Sequence, residues 1–310
     1  MLASIDIGTN TIRCLIVSAG KDVLTPEYVD MKIIRLGENF TKEKIITDAS
    51  ILRLKDALSY YAEKIERFGI QPDKVAVTGT SVLRDAPNSA EILKSIYKEF
   101  GLKVHILSGD EEASVTLRGI ASCFKDLKEF YALDIGGGST EYSCFKSGQP
   151  LWKYSLNMGV VHLTEEILKS DPVSTHDLLK MEKEIDNSLN SLKQRILKSG
   201  YKFEPLNLLG TAGTATTLAM VDLELSAYDR LKVHGYVLKK ENILKIYKKF
   251  IEKKAHERLN ITGVESGRED LVLAGTAIML KSIDFFETDR LTVSECGLLE
   301  GLITAGISGI

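Results

Sequence analysis

In the stretch Asp6-Ile7-Gly8-Thr9-Asn10-Thr11, the first two residues end an apolar run, 2–7, and the last four form a turn before a second apolar run, 12–17. Two apolar runs joined by a short turn that is rich in Gly and Asn are typical of a β-hairpin. The pattern returns where the apolar run 130–135 is followed by Gly136-Gly137-Gly138-Ser139-Thr140 and by a further strand-like run. We interpret the two stretches as copies of one supersecondary unit, with one copy in each of two domains.

Outside these hairpins the sequence alternates between strand and helix patterns. Apolar spacing predicts helices at 51–68, 90–100 and 174–197, and short strands at 75–78, 104–107 and 207–209. Such alternation predicts an α/β fold. Because 310 residues exceed the usual size of one core, we expect two domains, 1–124 and 125–310, with a last helix that can pack back on the first domain.

Composition excludes several classes of protein. Hydrophobic residues make up 44% of the chain and charged residues 27%, which is typical of a globular protein. The net charge of −3 argues against a nucleic-acid partner. No apolar run is long enough for a membrane span and the N-terminus shows no signal-peptide pattern, so we expect no membrane partner and a cytoplasmic location.

The four cysteines show no metal-binding spacing. They are Cys14, Cys123, Cys144 and Cys296. A disulfide framework is typical of small secreted domains, so in a chain of this length we expect reduced thiols.

Three loops of small residues follow predicted strands, at 8–11, 136–140 and 210–214. Glycine lets backbone amides approach an anion, and Ser and Thr hydroxyls add donors, so these loops are candidate phosphate-binding sites. Their candidate residues are Gly8, Thr9, Asn10, Thr11, Gly136, Gly137, Gly138, Ser139, Thr140, Gly210, Thr211 and Gly213. The sequence lacks the P-loop, zincin and esterase motifs.

Asp6 and Asp134 each end an apolar strand one residue before a loop. A carboxylate at such a place is costly unless a cation or hydrogen bonds compensate it. Mg²⁺ accepts one or two carboxylates together with phosphate oxygens, so the pair is a candidate metal site. The alternative is that each carboxylate caps its own turn.

Residues 6–11, 134–141 and 210–214 together resemble the two phosphate motifs and the adenosine motif of the superfamily that contains acetate and sugar kinases, heat-shock chaperones and actin. More narrowly, the chain resembles the exopolyphosphatase and guanosine pentaphosphate phosphohydrolase family. Three further stretches are similar to that family's motifs, namely 80–86, 106–113 and 267–270. The similarity extends from about residue 2 to residue 305.

The resemblance implies two actin-like (ribonuclease H-like) domains with a phosphate-binding cleft between them. It implies a Mg²⁺-dependent homodimer that releases terminal orthophosphate from polyphosphate or guanosine pentaphosphate, with a role in the stringent response. The ligands it implies are polyphosphate and guanosine penta- or tetraphosphate. By position, Glu112 matches the glutamate that activates water, Arg84 an arginine that contacts phosphate, and Glu141 a second acidic residue. The implied metal ligands are Asp6, Asp134 and Glu141.

The residues themselves leave alternatives open. Glu112 lies in the first turn of a helix that Ser108 and Glu111 can cap, where the helix dipole favours its ionised form, but surface carboxylates are common at such places. Arg84 can bind phosphate or pair with Asp85 or another nearby acid. The activity could also be that of a small-molecule kinase that uses ATP, and a non-catalytic nucleotide-switch protein is a further alternative.

The segment Lys239–Arg258 contains eight Lys or Arg residues and three Glu residues. Its excess of positive charge would suit a surface that guides a polyanion. A solvated helical face has the same composition, and it is the interpretation that we favour.

Overall fold

The computed structural model describes residues 1–19 and 24–305. The chain forms two compact units, each of which combines helices with one β-sheet, so the predicted α/β class is confirmed. Unit 1 contains the described residues up to Phe124 together with those from Cys296 onward, and unit 2 contains Lys125–Glu295. Among the described helices, none combines the length and the apolar composition that a membrane span requires.

Unit 1 contains a five-stranded sheet in the order β3-β2-β1-β4-β5. The first three strands are antiparallel neighbours, and β1, β4 and β5 are parallel. The strands are β1 (Leu2–Ile7), β2 (Thr11–Ala19), β3 (Leu24–Ile33), β4 (Val75–Gly79) and β5 (Val104–Ile106). Because β1, β4 and β5 point the same way, the residues that follow them gather at one edge of the sheet.

The helices of unit 1 cover this sheet. They are α1 (Phe40–Glu43), α2 (Asp48–Arg67), α3 (Ser81–Asp85), α4 (Ser89–Phe100), α5 (Gly109–Cys123) and α13 (Leu298–Ala305), with a 3₁₀ turn at Pro72–Lys74. Thr47 caps α2 by accepting a hydrogen bond from the Ser50 amide. The side chains of α2 that face the core recur every three or four residues, as an amphipathic helix requires.

The helix α13 belongs to unit 1 although most of the chain separates it from the rest of that unit. Leu298 and Leu302 pack with Val115 of α5, while Leu299 and Ile303 pack with side chains of β2. The hydroxyl of Ser4 in β1 also donates to the Leu299 carbonyl at 3.0 Å. The last helix therefore completes the core of unit 1.

Unit 2 contains a six-stranded sheet in the order β10-β11-β9-β6-β7-β8. Its strands are β6 (Glu129–Ile135), β7 (Thr140–Lys146), β8 (Gln149–Leu156), β9 (Asn207–Thr211), β10 (Val237–Lys239) and β11 (Arg290–Val293). Its helices are α6 (Val160–Glu166), α7 (Thr175–Lys198), α8 (Ala212–Asp222), α9 (Arg230–Val233), α10 (Lys240–Ile251), α11 (Ala255–Arg258) and α12 (Val272–Phe285). Almost every residue of α12 is buried, so this helix is central to the unit's core.

The two predicted hairpins are present, one in each unit. In unit 1, β1 pairs with β2 and lies parallel to β4 on its other side. In unit 2, β6 pairs with β7 and lies parallel to β9 on its other side. In both copies an aspartate occupies the next-to-last position of the first strand. The repeated sequence pattern thus corresponds to a repeated arrangement of three strands.

The expectation of four reduced cysteines is wrong. Cys123, at the end of α5, forms a disulfide with Cys296, which precedes α13, and their Cα atoms are 6.4 Å apart. Cys14 and Cys144 are free and buried. The bonded residues lie 173 positions apart, and only the return of the last helix to unit 1 brings them together. Sequence spacing carries no signal for such a pairing.

Candidate active site

In unit 1 the predicted site residues gather where the parallel strands β1, β4 and β5 end. The Thr80 amide donates to the Ile7 carbonyl at 3.2 Å, and the Leu107 amide donates to the Gly79 carbonyl at 3.0 Å. These bonds connect the segments that leave the three strands. Ligand sites of α/β sheets commonly form at the carboxyl ends of parallel strands.

Asp6 is buried at this edge and is only partly neutralised. Arg13, its antiparallel partner on β2, donates from Nη2 to Asp6 Oδ2 at 2.7 Å. Asp6 Oδ1, Thr9 Oγ1 and Thr78 Oγ1 are buried and have no hydrogen-bond partner within residues 1–19 and 24–305. Thr78 lies beside Asp6 in the parallel register. Unpartnered buried oxygens are unusual in proteins, and these three would suit a cation or a hydrogen-bonding ligand.

Backbone hydrogen bonds hold the first loop in a fixed shape. The Gly8 amide donates to the Thr11 carbonyl at 2.9 Å and closes the hairpin. The Thr9 carbonyl accepts from the Gly37 amide at 2.8 Å. A Cβ atom on Gly37 would lie 2.4 Å from Thr9 Cγ2, so a larger residue there would displace the Thr9 side chain. Because the Gly8 amide is already used, an anion would have to bind the amides that follow it.

Arg84 and Glu112 face each other at the same sheet edge. Arg84 Nη1 lies 3.6 Å from Glu112 Oε2 and donates to the Leu107 carbonyl at 2.9 Å. Arg84 Nε also lies 3.7 Å from Asp85 Oδ1. The sequence-based alternative of an Arg84–Asp85 contact is therefore present, but the guanidinium also reaches the more buried Glu112. The structure thus brings together two residues that the sequence could name only separately.

The capping box at the start of α5 separates the roles of two adjacent glutamates. The Ser108 hydroxyl accepts from the Glu111 amide at 3.3 Å, and the Glu111 carboxylate accepts from the Ser108 amide at 2.8 Å. Glu111 is exposed and its carboxylate is hydrogen-bonded in the cap, whereas Glu112, the next residue, is buried. The first turn of the helix stabilises a negative charge on Glu112.

The second loop, in unit 2, has the same hairpin closure. The Gly136 amide donates to the Ser139 carbonyl at 2.9 Å, and the Val161 amide donates to the Gly137 carbonyl at 2.9 Å. A Cβ atom on Gly159 would lie 2.2 Å from the Gly137 backbone oxygen, so this contact requires glycine at position 159. The loop is consequently anchored against the start of α6.

Asp134 and Glu141 are opposite each other on β6 and β7, and both are buried. Side chains directly opposite in an antiparallel pair share one face, and two like charges there repel. The Ser155 hydroxyl compensates part of this charge by donating to Glu141 Oε1 at 2.7 Å. No group of three or more His, Cys, Asp or Glu side chains in the described part of the chain forms a metal cluster, but Mg²⁺ needs only one or two carboxylates.

The third loop connects β9 to α8. Ala212 has a φ of 66°, a left-handed conformation that is unfavourable for alanine. A Cβ atom on Gly213 would lie 1.7 Å from Arg268 Nη1, so glycine leaves room for this guanidinium. Arg268 also donates from Nε to Glu265 Oε2 at 2.9 Å. Gly213 therefore accommodates a side chain of its own unit, which the sequence did not indicate.

The basic segment Lys239–Arg258 contains structural and surface cations. Lys240 is paired with Asp284, and the buried Arg258 donates to the Phe250 carbonyl at 2.9 Å and the Glu269 carbonyl at 3.0 Å. Lys245, Lys248 and Lys249 are exposed on α10. Lys240 and Arg258 are thus engaged within the protein, so a bound polyanion would meet fewer positive charges than the composition of the segment suggests.

Two residues of these sites were missed from the sequence. Thr78 ends an apolar run, and the hydroxyl there was the available signal. Ser155 lies on the neighbouring strand β8, and its contact with Glu141 depends on strand register, which has no local signature.

Both a protein-family model and individual known proteins match this chain. Residues 16–307 match the model of the Ppx/GppA phosphatase family. The bifunctional 3-dehydroquinate synthase/phosphatase of Fusobacterium nucleatum is 32% identical over 98% of this chain, which spans 46% of that relative's length. Exopolyphosphatase 2 of Mycobacterium tuberculosis is 29% identical, and 97% of each chain is covered.

Solved structures agree with this match. The crystal structure of the Ppx/GppA family member of Aquifex aeolicus is 30% identical, with a TM-score of 0.81, and 98% of this chain and 96% of the other are covered. An exopolyphosphatase from Cytophaga hutchinsonii is 26% identical, with a TM-score of 0.90, and 100% of this chain and 98% of the other are covered.

Proposed function

Because the chain belongs to the Ppx/GppA phosphatase family, we propose that it hydrolyses the terminal phosphoanhydride bond of inorganic polyphosphate and releases orthophosphate. Membership confirms the resemblance found in the motifs and, with it, the actin-like fold of two α/β units. We propose polyphosphate as the substrate because similar proteins are named exopolyphosphatases.

The observation that supports this proposal best is the Arg84–Glu112 pair at the edge of the unit 1 sheet. A carboxylate and a guanidinium in contact provide a proton acceptor next to a binding group for phosphate oxygens. Asp6, Thr9 and Thr78 add buried oxygens at the same edge. A phosphohydrolase needs this combination of groups, whereas a purely structural ion pair would not need unpartnered oxygens beside it.

In the proposed reaction, Glu112 accepts a proton from a water molecule whose oxygen attacks the terminal phosphorus. The new bond joins the water oxygen to phosphorus, and the bond from phosphorus to the bridging oxygen breaks. The shortened chain leaves with the bond electrons on that oxygen. Arg84 stabilises the charge on the oxygens of the transferred group, which is the main catalytic contribution in phosphoryl transfer.

The resemblance implies Mg²⁺, and the residues of unit 1 fit this cation. Asp6 Oδ1 is a buried carboxylate oxygen without a partner among the described residues, and hard oxygen ligands are those that Mg²⁺ prefers. In unit 2, the buried pair of carboxylates Asp134 and Glu141 is a separate candidate for holding the cation. When bound, Mg²⁺ would neutralise the charge of the phosphate oxygens.

Guanosine pentaphosphate is the second substrate that we propose. It also ends in a phosphoanhydride, so the same groups would act on it. In the kinase alternative, ATP would be consumed only in the presence of an acceptor.

These proposals are tested together by measuring orthophosphate release from polyphosphate of defined length, guanosine pentaphosphate and ATP. Each substrate is assayed with Mg²⁺ and with a chelator. We expect release from polyphosphate that requires Mg²⁺, and little release from ATP. Absence of release from polyphosphate, together with acceptor-dependent consumption of ATP, would overturn the proposed function in favour of a kinase.

A further inference from the structure

The disulfide lies at the open end of a close contact between two helices. A Cβ atom on Gly119 of α5 would lie 1.8 Å from the Gly297 oxygen, and one on Gly301 of α13 would lie 1.9 Å from the Val115 oxygen. The backbones of the two segments therefore touch with no side chain between them. Cys123 is one helical turn beyond Gly119, and Cys296 directly precedes Gly297, so the bond fastens this contact at its end.

The helix that is fastened in this way also carries Glu112 in its first turn. Glu112 lies opposite Arg84, with 3.6 Å between Oε2 and Nη1. A displacement of about 1 Å in a catalytic group can reduce turnover by about 100-fold. The position of α5 in unit 1 therefore affects the groups on which the proposed reaction depends.

The two bonded residues differ in accessibility. Cys123 is exposed, whereas Cys296 is buried. Thiol–disulfide exchange begins with attack by an external thiolate on an accessible sulfur atom. The free cysteines, Cys14 and Cys144, are buried, and burial raises the pKa of their thiols to about 12 and about 11. A reagent in solution would therefore distinguish the bonded pair from the free pair.

We propose that the Cys123–Cys296 bond is a site of reversible exchange with dithiols and that its oxidised form holds α5 in the position needed for turnover. A thiolate of the dithiol attacks Cys123 Sγ, the bond between the two protein sulfurs breaks, and Cys296 leaves as a thiolate. The second thiol of the dithiol then displaces Cys123 and closes the reductant into a disulfide. Two electrons pass from the dithiol to the protein, and the protein thiolates take up two protons. A disulfide such as oxidised glutathione reverses the exchange.

The first test uses the unaltered protein under native conditions. After treatment with dithiothreitol, iodoacetamide should alkylate Cys123 and Cys296 but neither Cys14 nor Cys144, and before reduction it should alkylate none of the four. Reduction should lower the melting temperature and reduce orthophosphate release at least threefold, and oxidised glutathione should restore both. Alkylation of Cys123 after oxidation, or equal turnover in the two redox states, would overturn the proposal.

The variants Cys123→Ser and Cys296→Ser provide the matched controls. Each should release orthophosphate at the rate of the reduced protein and should not respond to dithiothreitol. A response to dithiothreitol in either variant would show that another group is responsible and would contradict the proposal. Only the turnover measurement rests on the proposed function. Alkylation and melting report on the bond even if polyphosphate is not the substrate.

Discussion

Glu111 and Glu112 are chemically identical neighbours with opposite surroundings. Glu111 is exposed and accepts the Ser108 amide in the capping box, whereas Glu112 is buried beside Arg84. If Glu112 is the proton acceptor, Glu112→Gln should lower kcat for orthophosphate release by about 100-fold or more, since general bases contribute about 10²–10⁴-fold. The KM should change little because the side chain keeps its size and its hydrogen-bonding oxygen.

The matched control is Glu111→Gln. Its amide oxygen can still accept the Ser108 amide, because Gln also serves at this position of a capping box, so both the melting temperature and kcat (within about twofold) should be nearly unchanged. Steady-state phosphate release and a thermal melt on both variants separate the two roles. A Glu112→Gln variant that keeps its kcat would remove Glu112 from the mechanism.

His234 provides a pH-dependent contribution to stability. Its Nδ1 accepts from the Glu295 amide at 3.2 Å, and burial, together with the nearby charge of Arg230, lowers the pKa of the imidazole below its ordinary 6.5. The unfolded chain therefore binds a proton more readily than the folded one as the pH falls below about 6.5. The stability contributed by neutral His234 should be complete above that pH and should be lost below it.

The test is urea unfolding between pH 5 and pH 8. Wild-type protein should lose more stability towards pH 5 than His234→Asn, whose amide oxygen can still accept the Glu295 amide. His176→Asn, at an exposed position of α7, should behave as the wild type does. Parallel pH profiles for wild type and His234→Asn would contradict this assignment.

For single residues, the sequence indicated Asp6, Arg84 and Glu112 as candidates but did not predict which side chains they contact. Each lies in a local pattern, such as a strand end or a capped first turn, that short-range physics makes recognisable. The approach of Arg84 to Glu112 depends on how α3 and α5 leave neighbouring strands. Contacts of this kind arise from the packing of segments far apart in sequence, so no local pattern contains them.

The elements follow from the sequence more completely than the contacts do. The hairpins of units 1 and 2 were predictable because a turn of small residues and its flanking apolar runs lie within about 16 consecutive positions. The long helix α7 was predictable from its apolar spacing, and it begins and ends within one residue of the predicted bounds. The disulfide between the end of α5 and the segment before α13 was not predictable, because it forms only when the C-terminal segment packs back onto unit 1.

The contact between α5 and α13 gives a prediction about packing. In Gly119→Ala the new Cβ atom would lie 1.8 Å from the Gly297 backbone oxygen, so the two segments must separate. Overpacking of this kind costs about 1–3 kcal/mol. We expect a lower melting temperature in both redox states, since the clash does not depend on the bond.

Arg118→Ala, at the exposed neighbouring position of α5, is the control and should leave the melting temperature nearly unchanged. If Gly119→Ala melted at the wild-type temperature, the close approach of the two segments would be wrong.

On the scale of the whole chain, each unit has a core of its own. The larger apolar cluster lies within unit 2 and includes α12, while the cluster beneath α2 and the hairpin strands lies within unit 1. Unit 2 is formed by one continuous stretch of chain, and unit 1 needs both ends of the sequence. The two units should therefore respond differently to loss of the last residues.

A variant that ends at Glu295 tests this difference. It removes α13, whose Leu298, Leu299, Leu302 and Ile303 fill the space against β2 and α5, and it leaves the continuous unit 2 intact. Each lost core leucine or isoleucine is worth about 2–5 kcal/mol, and marginal stability is about 5–15 kcal/mol, so unit 1 should unfold. Hydrogen exchange should then show lost amide protection throughout β1, β2 and α5, with protection retained in β6, β7 and α12. Retained protection in β1 and β2 would mean that unit 1 holds together without its last helix.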